Sequence, residues 1–190
     1  MKENIQDKKA LVLNATLELI SEQGFHGTPV SQIAKRAKVA VGTIYLYFPN
    51  KEDIINTLYI DIKTRLAQYI LKNYSEERTI KESFLVILHN IVDYFVKYPK
   101  EFLFIEQYSN SPLITSNTKE EGIDIFMPVR ELFNKAQKEK LIKELPIEML
   151  IILTNGATLS LVKLCLFSDV KVDEAILEAG LEAIWDTIKK

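Results

Sequence analysis

An all-helical fold is predicted by three observations. Apolar residues recur at spacings of three and four along nearly the whole chain, while few segments alternate with the period of two that a half-buried strand needs. Glycine, proline and small polar residues fall between these stripes, where helices start and stop. The 190 residues are 47% apolar and 26% charged, the balance of an ordinary globular chain that can bury a core.

The elements follow in chain order. Val12, Leu13, Thr16, Leu17 and Ile20 make the first stripe, and Gly24 stands where a helix C-terminal glycine belongs. Gly24-Phe25-His26-Gly27 therefore reads as a helix stop and a turn, despite a superficial likeness to a GXXG nucleic-acid loop. Thr28 and Pro29 predict a side-chain cap and a first-turn proline for a short helix carrying Val30, Ile33, Ala34 and Ala37. Lys38 and Val39 give a tight connection into a third short helix over 40–47. Phe48-Pro49-Asn50 breaks the chain. Asn50 is then expected to cap a long helix over 51–71, with Asp53 in the place of a capping-box acid. Further helices are predicted over 80–97, ended by Tyr98-Pro99, and over 101–108, before the loop signal Asn110-Ser111-Pro112. The segment 119–141 contains Pro128, which predicts a kink or break. Helices over 146–167 and 173–189 complete a set of about nine.

Helix lengths divide the chain into a domain over 1–50, with three short helices, and a domain over 51–190 of longer, more apolar ones. Charge divides it too. Residues 1–55 hold seven Lys/Arg against six Asp/Glu, and the rest holds seventeen against twenty, so a total of −2 conceals a weakly basic start. Cys165 stands alone, which excludes an internal disulfide framework and any multi-cysteine metal site; it reads as a small buried hydrophobe. No nucleophile elbow, P-loop, dinucleotide fingerprint or zincin motif is present. The only histidines are His26 and His89, and the acid pairs Glu76-Glu77 and Glu120-Glu121 sit in charged, loop-like stretches. No enzyme, cofactor or metal is expected. The charged start is unlike a signal peptide. The apolar stretch over 149–167 is interrupted by Thr154, Asn155, Ser160 and Lys163, so it reads as a buried helix, not a membrane span. A cytoplasmic chain is expected, in which the sequons at 14–16 and 73–75 carry no meaning.

Two short helices joined by a tight turn are the geometry of a helix-turn-helix, whose second helix enters the DNA major groove. That second helix begins Val41-Gly42-Thr43-Ile44-Tyr45-Leu46-Tyr47-Phe48. A glycine inside it costs about 1 kcal/mol relative to alanine, which close approach of the backbone to another surface would explain. Thr43, Tyr45 and Tyr47 offer hydroxyls to phosphates, while Ile44 and Phe48, four apart, face the core.

The run Gly24-Phe25, Thr28-Pro29-Val30, Ile33-Ala34, Ala37, Val39, Gly42-Thr43-Ile44-Tyr45, Tyr47-Phe48 and Asn50-Lys51-Glu52-Asp53 resembles the N-terminal domain of TetR-family transcriptional regulators. The likeness covers about the first fifty-five residues; the remainder agrees in length and helicity. It implies a DNA-binding set of Thr28, Lys38, Val41, Gly42, Thr43, Tyr45, Tyr47 and Lys51, with Lys51 pairing a phosphate at a helix N-terminus. The chain departs from the family pattern in three places. Ala40 replaces a Ser/Thr cap, Val41 stands where a polar residue is usual and offers only apolar contact to a thymine methyl, and Tyr47 replaces a common histidine.

The resemblance also implies a C-terminal domain that binds an effector and forms a homodimer through its last two helices. His89, Phe104, Gln107, Tyr108 and Met127 combine apolar walls with polar groups, as a pocket requires, and Asn155 inside an apolar helix needs a partner. Leu150, Leu153, Ala157, Leu161 and Leu164 on one helix, and Ile176, Ala179, Ala183, Trp185 and Ile188 on the next, are the candidate dimer stripes. The expected function is a ligand-responsive repressor that binds a palindromic duplex operator and is released by a small apolar or amphipathic effector. The rival is a helical adaptor without DNA binding.

Overall fold

In the computed structural model, residues 2–72 and 77–190 are described, with side chains from Asp7 onward. Glu76 and the sequon at 73–75 lie outside the described residues. Ten helices are found among those described: α1 (Lys2–Gln23), α2 (Val30–Ala37), α3 (Val41–Tyr45), α4 (Lys51–Ile70), α5 (Ile80–Lys97), α6 (Pro99–Tyr108), α7 (Ser116–Asp124), α8 (Met127–Lys138), α9 (Ile147–Phe167) and α10 (Glu174–Ile188). The segment read as one kinked helix over 119–141 is two, α7 and α8. Pro128 sits in the first turn of α8, where its missing N–H costs no helical hydrogen bond.

The chain forms two compact units, one of residues 1–63 and 100–122, the other of residues 64–99 and 123–190. In the first, α1 packs on α2 and α2 on α3. Val12, Leu19, Ile20, Ile33, Ala37, Ile44, Phe48, Ile54, Ile55, Leu58, Phe104 and Tyr108 belong to one buried cluster. Gly24 ends α1 in the left-handed region at φ 71°, its N–H donating to Ile20 O at 2.9 Å. At Gly27 a Cβ would lie 2.5 Å from Gln23 O, so the turn into α2 admits only glycine. An Asn56 clamp fixes the loop before α7: its Nδ2 donates to Leu113 O at 2.9 Å and its Oδ1 accepts from Thr115 N–H at 3.0 Å.

In the second unit α5, α9 and α10 pack on one another, and α8 packs on α5 and α9. Phe84 is the aromatic centre, 4.5 Å from Phe133 and 5.4 Å from Trp185 between ring centroids, both edge-on. α5 begins with a full capping box between Thr79 and Glu82. The expectation that the apolar penultimate helix is buried is overturned. Of α9, only Leu150, Thr154, Thr158 and Val162 are buried. The two threonines fit an apolar interior because each hydroxyl donates to the carbonyl four residues back, Leu150 O and Thr154 O. By length and composition α9 would also pass as a membrane span, but Asn155, Ser160 and Lys163 are among its exposed residues.

Candidate DNA-binding site

The α2–turn–α3 unit is built by backbone geometry more than by caps. Lys38 takes the left-handed conformation (φ 56°, ψ 40°) and its N–H, with that of Val39, closes the end of α2 onto Lys35 O and Ala34 O. The expected side-chain cap at Thr28 does not form. Thr28 is fully buried and its Oγ1 donates to Gly24 O at 2.8 Å, so the N-cap is Pro29, which has no side-chain acceptor. Thr28 is thereby removed from the DNA-facing set: its hydroxyl is spent inside the fold. At α3 the N-cap is Ala40, again without a side-chain bond.

Ile44 and Phe48 point inward, 0% and 1% exposed. The opposite face is open. Val41, Gly42, Tyr45 and Leu46 are exposed, and Thr43 and Tyr47 are half-buried, Tyr47 packing on the core. Leu46 is 80% exposed, and sequence reasoning gave it no role. Its signal was available: Ile44 and Phe48 face inward, so the residue between them faces out.

The cations divide into free and committed. Lys35 and Lys38 are exposed beside the turn. Arg36 is not free. It bonds Glu22 bidentately and Glu18 at 3.0 Å, and this pairing raises its pKa further. Glu22 is held below the usual carboxylate range chiefly by the Arg36 hydrogen bond. A carboxyl lowered in this way stabilises the fold above its unfolded value, and the contribution fades as pH falls through the lowered one. The urea midpoint of Arg36→Gln will therefore lie below that of the parent at pH 7, and the two will converge below about pH 4.

Lys51, expected on a phosphate, is half-buried. Its ammonium donates to Phe25 O and lies 3.8 Å from the centroid of the Phe25 ring, and burial lowers its pKa. It thus ties the loop after α1 to the start of α4, where Asn50 Oδ1 accepts from Asp53 N–H at 2.8 Å as expected of a cap. Lys51→Ala will lower the unfolding free energy by about 1–2 kcal/mol, read by denaturant titration.

The residues expected around an effector fall in different units. Phe104 and Tyr108 are buried core side chains of the first; Gln107 is exposed there and lines a cleft with Phe104, Ile20, Ser21, Leu103 and Glu106, which brings Phe104 and Gln107 together. In the second, His89 lines a groove of about 440 Å³ between α5 and α10 with Leu85, Val86, Glu178, Leu181 and Glu182. His89 Nε2 stands 3.3 Å from Glu174 Oε1. Met127 and Asn155 are exposed. An exposed amide on α9 needs no buried partner within the chain. Of the dimer candidates, Leu150, Trp185 and Ile188 are buried inside the chain and so leave the stripe, Leu153 is 48% and Ile176 46% exposed, Ala179 and Ala183 are exposed, and Ala157, Leu161 and Leu164 are half-buried.

The family model for bacterial regulatory proteins of the TetR family matches residues 12–58, and that for a tetracyclin repressor-like C-terminal domain matches residues 79–189. The chain belongs to the TetR family. Its relatives include an HTH-type transcriptional regulator of Haemophilus influenzae, 27% identical over 193 residues and spanning all of both chains. The fatty acid metabolism regulator of Bacillus subtilis is 40% identical over 77 residues, a match that covers 40% of each chain. A solved TetR-family regulator from Shewanella superposes with a TM-score of 0.89 at 25% identity, covering 96% of this chain and 98% of that one. The TetR-family helix-turn-helix is thus the α2–turn–α3 unit, inside the matched segment, and this chain is a DNA-binding transcriptional regulator by family.

Proposed function

We propose that the chain is a ligand-responsive repressor that binds a palindromic operator as a homodimer, acts in the cytoplasm, and leaves DNA when a small apolar or amphipathic effector binds. Gly42 carries the DNA-binding part of this reading. A Cβ at Gly42 would meet nothing within 4 Å, so no contact inside the chain requires the glycine. Its helix-weakening cost is explained by a surface outside the chain that approaches the backbone closely. Val41, Thr43, Tyr45 and Tyr47 surround it as base and phosphate contacts, with Lys38 and Lys35 flanking.

Gly42→Ala tests this directly. The variant will melt at the same temperature as the parent or higher, since alanine favours the helix. Its affinity for a selected duplex will fall roughly tenfold or more. Unchanged affinity would remove the close-approach argument. For the parent, fluorescence anisotropy on its upstream DNA and on random pools must show sequence-preferring, salt-sensitive binding.

The exposed faces of α9 and α10 support a homodimer, because an apolar surface of that kind is covered in solution. Two-fold symmetry then supplies two half-sites. The groove between α5 and α10 offers apolar walls from Leu85, Val86 and Leu181. A relative named for fatty acid metabolism favours an effector of amphipathic chemistry. Release requires that the effector bind the non-operator state more tightly than the operator-bound one.

A further inference from the structure

The face that α3 turns outward is apolar to a degree that the DNA-binding reading alone does not require. Leu46 is 80% exposed and Val41 40% exposed. No charged side chain occurs from Val39 to Asn50. Leaving a leucine open to water brings no benefit to the fold: it lies two residues from Ile44 and two from Phe48, both buried, and the helical period places it on the opposite face. Leu46 is one turn beyond Gly42, whose missing Cβ leaves the surface beneath it clear. Val41 begins the same short helix, one turn before Tyr45.

Neither side chain can donate or accept a hydrogen bond, so neither can recognise the N7 and O6 acceptors of guanine or the amino group of adenine or cytosine. One feature of the major groove is apolar, the 5-methyl group of thymine. Lys35 and Lys38 are exposed just ahead of this helix in the chain and none of residues 39–50 is a carboxylate, which matches a polyanionic partner.

We propose that Leu46, together with Val41, is a specificity-determining residue that reads thymine 5-methyl groups in the operator major groove. The inference rests on the DNA-binding reading above and deepens it: each half-site carries thymine where Leu46 and Val41 meet it, and selection there is by apolar burial.

Deoxyuridine isolates the claim, because it keeps every hydrogen-bonding group of thymine and lacks the methyl. The preferred duplex is first selected from a random pool with the full chain. Each thymine is then replaced singly by deoxyuridine and the affinity measured by anisotropy. At one or more positions per half-site the parent will lose about fourfold, the worth of one buried methyl. Leu46→Ala will bind the thymine duplex more weakly, and at the position it contacted it will no longer distinguish thymine from deoxyuridine. Leu46 is too exposed for that variant to unfold, and an unchanged melting temperature will confirm it. A selected half-site without thymine, neutrality of every deoxyuridine, or the same losses in Leu46→Ala would each overturn the inference while DNA binding stood. A change of oligomeric state in Leu46→Ala with unaltered DNA affinity would assign the patch to a protein partner and overturn it as well. Failure to bind any duplex would overturn the DNA-binding reading itself.

Discussion

A chain carrying Leu153→Asp will remain folded, become monomeric, and lose roughly 10²–10⁴-fold in affinity for a duplex with two half-sites. The fold tolerates the change because Leu153 is 48% exposed, so the new carboxylate stays in water when the chain is alone. The proposed dimer does not tolerate it. Ile152 at 69%, Met149 at 49%, Phe167 at 60% and Ile176 at 46% exposure border the same open faces of α9 and α10. Covering them would bury an unpaired charge, a penalty of several kcal/mol. Loss of the dimer turns the second half-site contact from an intramolecular event into an independent one, which is the source of the affinity loss. Sedimentation equilibrium reads the mass and anisotropy reads the affinity. An unaltered dimer mass would show that subunits meet elsewhere.

The second large effect lies in the core beneath α3. Phe48→Ala will cost about 3–5 kcal/mol of stability, as expected for truncating a buried aromatic side chain. Phe48 is 1% exposed, its N–H donates to Ile44 O at 2.9 Å, and its ring belongs to the cluster that includes Ile33, Ala37, Ile54 and Leu58. A five-residue helix such as α3 does not form on local propensity. It exists because Ile44 and Phe48 anchor it. Leu46→Ala, two positions away but open to solvent, will shift stability by no more than about 0.5 kcal/mol. Urea titrations of the two variants compare anchor with surface directly, and similar midpoints would contradict this packing.

Much of this was readable from residue order. Stripe spacing, Gly24, Asn50 and the run 41–48 placed the first four helices and separated the inward residues Ile44 and Phe48 from the outward face. Local signals failed where a distant partner decides the outcome. Phe104 and Tyr108 look like pocket aromatics, yet they close the core of the first unit, whose membership depends on contacts across some fifty residues of chain. Lys51 carries the charge a phosphate needs, but nothing nearby in sequence reveals that Phe25 occupies it. On α9 the apolar run suggested a buried helix, but only Leu150, Thr154, Thr158 and Val162 are buried. Two of those four are threonines, which sit there because back-bonded hydroxyls behave as small apolar groups.

The pairing of Arg36 with Glu18 and Glu22 reaches beyond the stability of the first unit. Sequence-independent attraction to DNA scales with the number of phosphates a protein neutralises. With Arg36 paired to its own carboxylates, the helix-turn-helix leaves Lys35 and Lys38 as its remaining exposed cations. Bulk chromosomal DNA is a vast competitor for any regulator. The expected signature is a shallow salt slope for this chain on random duplex DNA, read by anisotropy.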